Sequence, residues 1–267
     1  MNGLRPGAML RMALICLGTL VLIPPQLISM RLGPRHGFLF TRLFHRLVCR
    51  GLGVRTVIRG TPPGRGEGGL IVSNHVSWLD IPVLGAVRPL SFVAKAEVET
   101  WPVIGWLSKL QRTVFIDRMR RSATADVAAE MGQRLSNGQA VVLFAEGTTG
   151  DGTRVLPLRS SLLGAAHQAL RGEGEAEITI YPLCITYTGF YGLRGGRSER
   201  AALAWHGDTE LGPHLRALLA AGAVDVELAW GEPIRMGRKL SRKEATRLAE
   251  IAIRRARQEA VTGRSRA

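Results

Sequence analysis

The sequence predicts an α/β fold, a mostly parallel sheet flanked by helices, preceded by an N-terminal membrane-embedded helical segment. Three observations carry this. From Val54 onward, short apolar runs alternate with helical patterns, which implies a parallel sheet covered on both faces. Before Val54 the chain holds its most apolar run, and its first 60 residues contain nine Arg and no Asp or Glu. Third, the polar stretch from Ser73 to Asp80 follows one of the apolar runs, and open α/β sheets place their chemistry at such a strand end. The expected division is residues 1–53 as membrane-associated apolar and basic amphipathic helices, and residues 54–267 as the α/β domain.

Taken in order, residues 12 to 30 carry no charge and Met12 to Ile23 is strongly apolar, but Arg11 and the pair Pro24-Pro25 interrupt a spanning helix of about 20 residues. A transmembrane helix and a half-inserted helix turning back at the prolines both remain open. A cleaved signal peptide fits worse, because no small-residue cleavage site follows. Arg42, Arg46 and Arg50 then recur every four residues with His45 beside them, opposite Phe40, Leu43, Phe44, Leu47 and Val48. This predicts a basic amphipathic helix lying in a headgroup layer.

Val54 to Ile58, Gly69 to Val72, Ser91 to Ala94, Thr113 to Ile116 and Ala140 to Phe144 read as short buried strands, with Ile178 to Thr188 and Asp225 to Trp230 as later ones. Ile81 to Val87 reads as a helix, as does Ser122 to Leu135, which stops at Asn137-Gly138. Ser241 to Thr262 reads as a long basic helix opened by a Ser241-x-x-Glu244 capping box. The stretch from Gly60 to Gly66 is the clearest loop.

A formal charge of +15 requires an anionic partner. Basic and apolar residues share one segment, so that partner is a lipid surface and not nucleic acid. Cys16, Cys49 and Cys184 lie far apart without metal-ligand spacing and read as buried, reduced thiols; no structural metal is implied.

The chemistry concentrates in Ser73-Asn74-His75-Val76-Ser77-Trp78-Leu79-Asp80. On one continuous helix a five-residue spacing turns His75 and Asp80 apart. They meet only if His75 sits in a turn and Asp80 in the first turn of the following helix. Asp80 would then hold one imidazole nitrogen while the other faces a substrate hydroxyl. Ser77-x-x-Asp80 is equally a capping-box pattern that only satisfies helix amides, and these eight residues alone do not separate the two readings.

Asn74-His75-x4-Asp80 is followed by Val114-Phe115-Ile116-Asp117-Arg118, by Phe144-Ala145-Glu146-Gly147-Thr148 and by Tyr181-Pro182-Leu183. In this order the four blocks resemble those of the glycerolipid acyltransferases of the 1-acylglycerol-3-phosphate acyltransferase type, over roughly residues 54 to 190. The resemblance implies a glycerol-3-phosphate acyltransferase-like fold whose N-terminal helix pair beds into one leaflet. It also implies acyl transfer from acyl-CoA or acyl carrier protein to a lysolipid hydroxyl. His75 would be the general base and Asp80 its orienting group. Arg118, Glu146, Gly147 and Thr148 would contact the acceptor head group; Asn74, Lys95, Arg112 and Arg154 are further site candidates, with Lys95 and Arg112 adding positive field on the same sheet edge, and Pro182 belongs to the block associated with the acyl donor. No metal or redox cofactor is expected, and the lack of a G-x-S-x-G elbow and of a cysteine beside a base fits direct transfer without a covalent intermediate. The implied setting is a bacterial inner membrane with the catalytic domain facing the cytoplasm.

The expected product is phosphatidate from 1-acylglycerol-3-phosphate. Two departures bear on the acceptor: Arg112 replaces the usual glycine of the second block, and Thr149 the usual arginine of the third. The continuation from Asp151 to Pro157 is similar to a branch that includes lyso-ornithine lipid acyltransferases, whose acceptor has an amino-acid head group and no phosphate. Arg154 or Arg159 is then available to replace the missing charge. Outside enzymes, the competing reading is a non-catalytic basic protein on an anionic membrane, with Ser77 and Asp80 acting only as a cap. His36 and His45 belong with the membrane-directed segment, and His167, His206 and His214 read as structural or surface residues.

Overall fold

The strands at the centre of the sheet are those whose sequences are apolar without a break. The computed structural model describes residues 6–32, 37–64, 66–116, 130–135, 137–164, 177–237 and 240–263. In it β2 (Gly69–Ser73) and β5 (Ala140–Phe144) are buried at every residue. Their neighbours are β1 (Val54–Arg59), β3 (Ser91–Lys95), β4 (Val114–Ile116), β6 (Ile178–Phe190) and β8 (Val224–Trp230). Together they form one sheet in the order β1-β8-β6-β2-β5-β3-β4. The short strands β7 (Leu193–Arg194) and β9 (Ile234–Met236) pair with β6. The run β6-β2-β5-β3-β4 is parallel, β1 is parallel to β8, and β6 against β8 is antiparallel. The C-terminal ends of β2, β3, β4 and β5 therefore share one edge.

Alternation along each strand divides the core in two. Ile71, Val142 and Phe144 face one side with Val48, Leu79, Val83 and Leu218, while Leu70, Val72, Val141 and Leu143 face the other with Met131, Leu135, Ala249 and Ile253. The first layer comes from α1 (Pro6–Arg31), α2 (Leu39–Gly51), α3 (Asp80–Val87), α5 (Arg197–Leu203) and α6 (Leu211–Ala221); the second centres on α7 (Arg242–Thr262), and α4 (Ile104–Leu110) lies between β3 and β4 in the chain. Fully burying side chains such as Leu70 and Ile71 contributes about 1.5–3 kcal/mol each.

Several expectations are corrected. The β1 strand is not buried but an edge strand with Val57 and Ile58 exposed, since only β8 pairs with it. The prolines do not break α1, which runs continuously through Pro24 and Pro25. Arg11 does not interrupt it either: its guanidinium donates to the carbonyls of Leu219 at 2.6 Å and Gly222 at 3.4 Å, on the far side of the α1–α6 contact. Near the other end the Gln26 amide donates to Gly37 and Leu110, both at 2.9 Å. The two anchors stand 15 residues, about 22 Å, apart on one helix. Away from the domain α1 exposes Leu10, Leu14, Leu17, Val21 and Ile28.

The α2 helix also departs from the sequence reading. Arg42 donates to the carbonyls of Ala86 and Val87, and Arg46 to Ala86, so two of its three periodic arginines cap the C-terminus of α3. His45 is buried between the helices against the Gln111 amide, and burial lowers its pKa to about 4. Gly85 makes this approach possible, because a Cβ there would collide with the His45 ring. Cys49 and Cys184 are buried, with burial pushing each thiol up to about 12, whereas Cys16 is exposed on α1. Ser241 caps α7 by accepting from Glu244 N at 3.3 Å, but the Glu244 carboxylate pairs with Arg247 and not back to the cap. Most of the predicted helix Ser122–Leu135 lies outside the described residues; 130–135 are helical. His36 and His167 lie outside them as well.

Candidate active site

Strand β2 ends at Ser73 and α3 begins at Asp80, so His75 stands in the connecting turn and Asp80 in the first helical turn. Their side chains meet, with His75 Nδ1 2.7 Å from Asp80 Oδ2. The same oxygen accepts the backbone N–H of Val76 at 2.7 Å and of Ser77 at 3.1 Å. Asp80 therefore does both things the sequence left open: it caps amides and orients the imidazole. Ser77 contributes backbone groups, its N–H to Oδ2 and its carbonyl to Asp80 N at 3.0 Å, while its buried hydroxyl has no partner among the described residues. The other oxygen, Oδ1, accepts the Tyr187 hydroxyl at 2.7 Å, and neither residue is open to solvent.

His75 is fixed from four directions. Besides Asp80, its ring stacks on Phe144 with centroids 3.9 Å apart and planes 13° from parallel. Its N–H donates to Glu146 Oε2 at 3.0 Å, and its carbonyl accepts from Gly150 N at 2.8 Å. Nε2 alone has no partner among the described residues, and the side chain is 19% exposed. A neutral imidazole with Nδ1–H given to a carboxylate presents a lone pair at Nε2, the arrangement a general base requires.

Glu146 follows β5, which pairs with β2 in register from Ser73 against Phe144, so the two strand ends bring Glu146 beside His75. Its second oxygen accepts Leu156 N at 2.8 Å, so both oxygens are engaged with backbone amides. Burial pushes its pKa up to about 7, with the Asp80 charge adding to the rise and the two amides opposing it. Gly147 turns the chain away with φ of 73°, a conformation that favours glycine. Thr148 is exposed just beyond.

The remaining candidates are distributed more widely. Asn74 bridges β2 to β6: its amide donates to the Ile185 carbonyl at 2.9 Å and its oxygen accepts Ile185 N at 2.8 Å. Lys95 ends β3 on the same edge as His75 and pairs with Glu97 at 3.4 Å. Arg112 does not share that edge. It precedes β4, at the strands' N-terminal side, where its carbonyl accepts from Arg134 and its guanidinium lies 5.8 Å above the Phe38 ring. Pro182 sits inside β6 opposite Val72, where β6 changes partner from β8 to β9, so its missing N–H interrupts no ladder. Arg154 is exposed in the loop after Gly152, and Arg118 lies outside the described residues.

Sequence reasoning missed Tyr187 and Phe144 as a ring support; His214, read as structural or surface, is buried and its Nδ1 accepts from Trp78 Nε1 at 3.0 Å. Tyr187 stands 107 positions from Asp80 and joins it only through the pairing of β6 beside β2. Phe144 was readable as the last residue of its strand, two positions before Glu146.

The family described as Acyltransferase matches residues 55–186. A lyso-ornithine lipid O-acyltransferase of Brucella abortus (strain 2308) is 45% identical over 251 residues, covering 92% of this chain and 92% of that protein. A 1-acyl-sn-glycerol-3-phosphate acyltransferase of Neisseria gonorrhoeae is 39% identical over 107 residues, 40% of this chain and 42% of that protein. The crystal structure of the 1-acyl-sn-glycerophosphate (LPA) acyltransferase PlsC from Thermotoga maritima superposes with a TM-score of 0.58 at 22% identity, over 87% of this chain and 83% of that one. It has the same fold.

Proposed function

The chain belongs to the acyltransferase family, and from that premise we propose that it transfers a fatty acyl chain from an acyl thioester to the free hydroxyl of lyso-ornithine lipid. The observation that carries the mechanism is the 2.7 Å contact of His75 Nδ1 with Asp80, which leaves Nε2 open. Nε2 takes the hydroxyl proton as the acceptor oxygen attacks the thioester carbonyl. The tetrahedral intermediate then expels the thiolate, which recovers the proton from the imidazolium, giving an ester and a free thiol. A thiolate is a good enough leaving group that the step needs no covalent enzyme intermediate, metal or redox cofactor. The donor is acyl-CoA or acyl carrier protein.

Two facts favour the amino-acid head group over a phosphate. The relative aligned along nearly the whole of both chains is a lyso-ornithine lipid O-acyltransferase, whereas the glycerophosphate-acylating relative matches 40% of this chain. Thr149 also stands where the phosphate-handling pattern has arginine.

The membrane is met by α1. Its anchors at Arg11 and Gln26 hold the helix along the domain at both ends, which favours a helix lying in one leaflet over one crossing the bilayer. Its exposed leucines would lie among acyl chains and keep the acceptor's leaflet at hand. The catalytic domain would face the cytoplasm, where acyl thioesters are made.

The test offers lyso-ornithine lipid and lysophosphatidate side by side, with radiolabelled acyl thioester, to membranes containing the protein. Labelled ornithine lipid supports the reading. Labelled phosphatidate alone replaces the acceptor, and no transfer to either removes the function.

A further inference from the structure

Behind the catalytic turn lies a cavity of about 10 Å³ lined by Asn74, Val76, Tyr187, Arg154, Arg200 and Arg257, with Gly152 at its wall. That volume admits one water or one oxygen of an anion. Arg257 Nη2 donates to the Gly152 carbonyl at 2.9 Å, and Arg200 Nη1 to the Gly195 carbonyl at 2.6 Å. These are neutral backbone acceptors, which do not offset the guanidinium charges. Among the described residues the buried Nε of Arg200 has no hydrogen-bond partner, and Arg154 meets the Asp151 charge without a hydrogen bond. Asp151, whose carboxylate charge reaches both Arg154 and Arg257, also accepts from Thr153 N and Oγ1, both at 2.8 Å. Burial lowers the pKa of Arg257 and the Arg200 charge lowers it further, while the Asp151 charge opposes the shift. Three guanidinium groups around one small opening outnumber the Asp151 carboxylate beside them and favour a further anion from outside.

We propose that Arg154, Arg200 and Arg257 form the subsite for the acceptor's anionic head group, a carboxylate on an amino-acid head or a phosphate on a glycerol head. The assignment rests on the lysolipid reading above. Position selects the acceptor over the donor: the cavity is walled by Asn74 and Val76, the chain neighbours of His75, and by Tyr187, which holds Asp80, so it adjoins the catalytic turn. In a lysolipid the charged group is only a few bonds from the reacting hydroxyl. The donor's phosphates are a full pantetheine arm from the thioester carbon, and they would bind much farther off.

The test measures steady-state KM for lyso-ornithine lipid and for lysophosphatidate, at saturating acyl thioester, in wild type, Arg154→Gln and Arg200→Gln. Losing one charge-assisted contact is expected to raise the KM of whichever acceptor wild type uses about tenfold, with donor KM unchanged. Acceptor KM unchanged in a folded Arg154→Gln protein, or donor KM raised instead, overturns the assignment. Arg154 is exposed, so this variant decides the matter if Arg200→Gln fails to fold. If wild type acylates neither lipid, the functional reading fails separately. Calorimetric titration with N-octanoyl-ornithine and with glycerol 3-phosphate then decides the subsite: weaker binding by Arg154→Gln supports it, and equal or absent binding overturns it.

Discussion

Tyr187 donates its hydroxyl to Oδ1 of Asp80 at 2.7 Å, completing a carboxylate whose other oxygen already serves His75 and two backbone amides. Burial and the adjacent carboxylate hold the Tyr187 pKa well above its ordinary value, so the phenol remains a donor at working pH. Tyr187→Phe strands a buried oxygen, at a cost of about 1–3 kcal/mol. Its Tm should fall by roughly 2–4 °C per kcal/mol lost, and kcat should drop several-fold at unchanged acceptor KM. A variant with wild-type kcat and Tm would show that this bond does not matter.

Glu146 makes stability depend on pH. Its carboxyl titrates near 7 in the fold against an ordinary 4.5, so the folded protein holds that proton where the unfolded chain has lost it. The resulting stabilisation is complete below 4.5 and disappears as pH rises through 7. Glu146→Gln cannot titrate, and its NH2 faces one of two backbone donors, which also destabilises it. Melting curves should show the gap in Tm between wild type and Glu146→Gln widening from pH 8 to pH 5; a constant gap would contradict this.

Asn74 is assigned a structural role. Asn74→Ala leaves the buried N–H and C=O of Ile185 both unpaired, so unfolding in urea should shift by about 2–4 kcal/mol. A shift under 1 kcal/mol would mean that solvent or a neighbour replaces the bridge.

The exposed stripe of α1 should govern membrane partition. Replacing Leu10, Leu14 and Leu17 together with Gln removes up to about 1.5–3 kcal/mol of apolar burial in lipid per side chain and touches no domain anchor. Flotation should move the folded variant from the membrane to the soluble fraction, and unchanged flotation would refute the single-leaflet placement.

What the sequence disclosed followed from how each element meets its surroundings. Central parallel strands are covered on both faces, so β2 and β5 appear as unbroken apolar runs with nearly correct ends. β1 is as apolar in its middle, but whether a partner flanks it is a matter of topology, and it proved to be an edge. Arg11 and the prolines looked like interruptions because a sequence does not show which helix groups find partners elsewhere. The His75–Asp80 contact was legible from a spacing that works only across a turn. Tyr187 and the arginines around the cavity come from elements far apart in the chain, joined by strand register and helix docking that no local pattern encodes.

The central claim is that His75 Nε2 takes the acceptor's proton. Its most direct test is the acyl-transfer rate of His75→Ala at saturating donor and acceptor, in protein whose melting curve confirms the fold. Loss of general-base catalysis predicts a fall of about 10²–10⁴-fold, with acceptor binding retained. Near-wild-type turnover would contradict the account, whatever the acceptor.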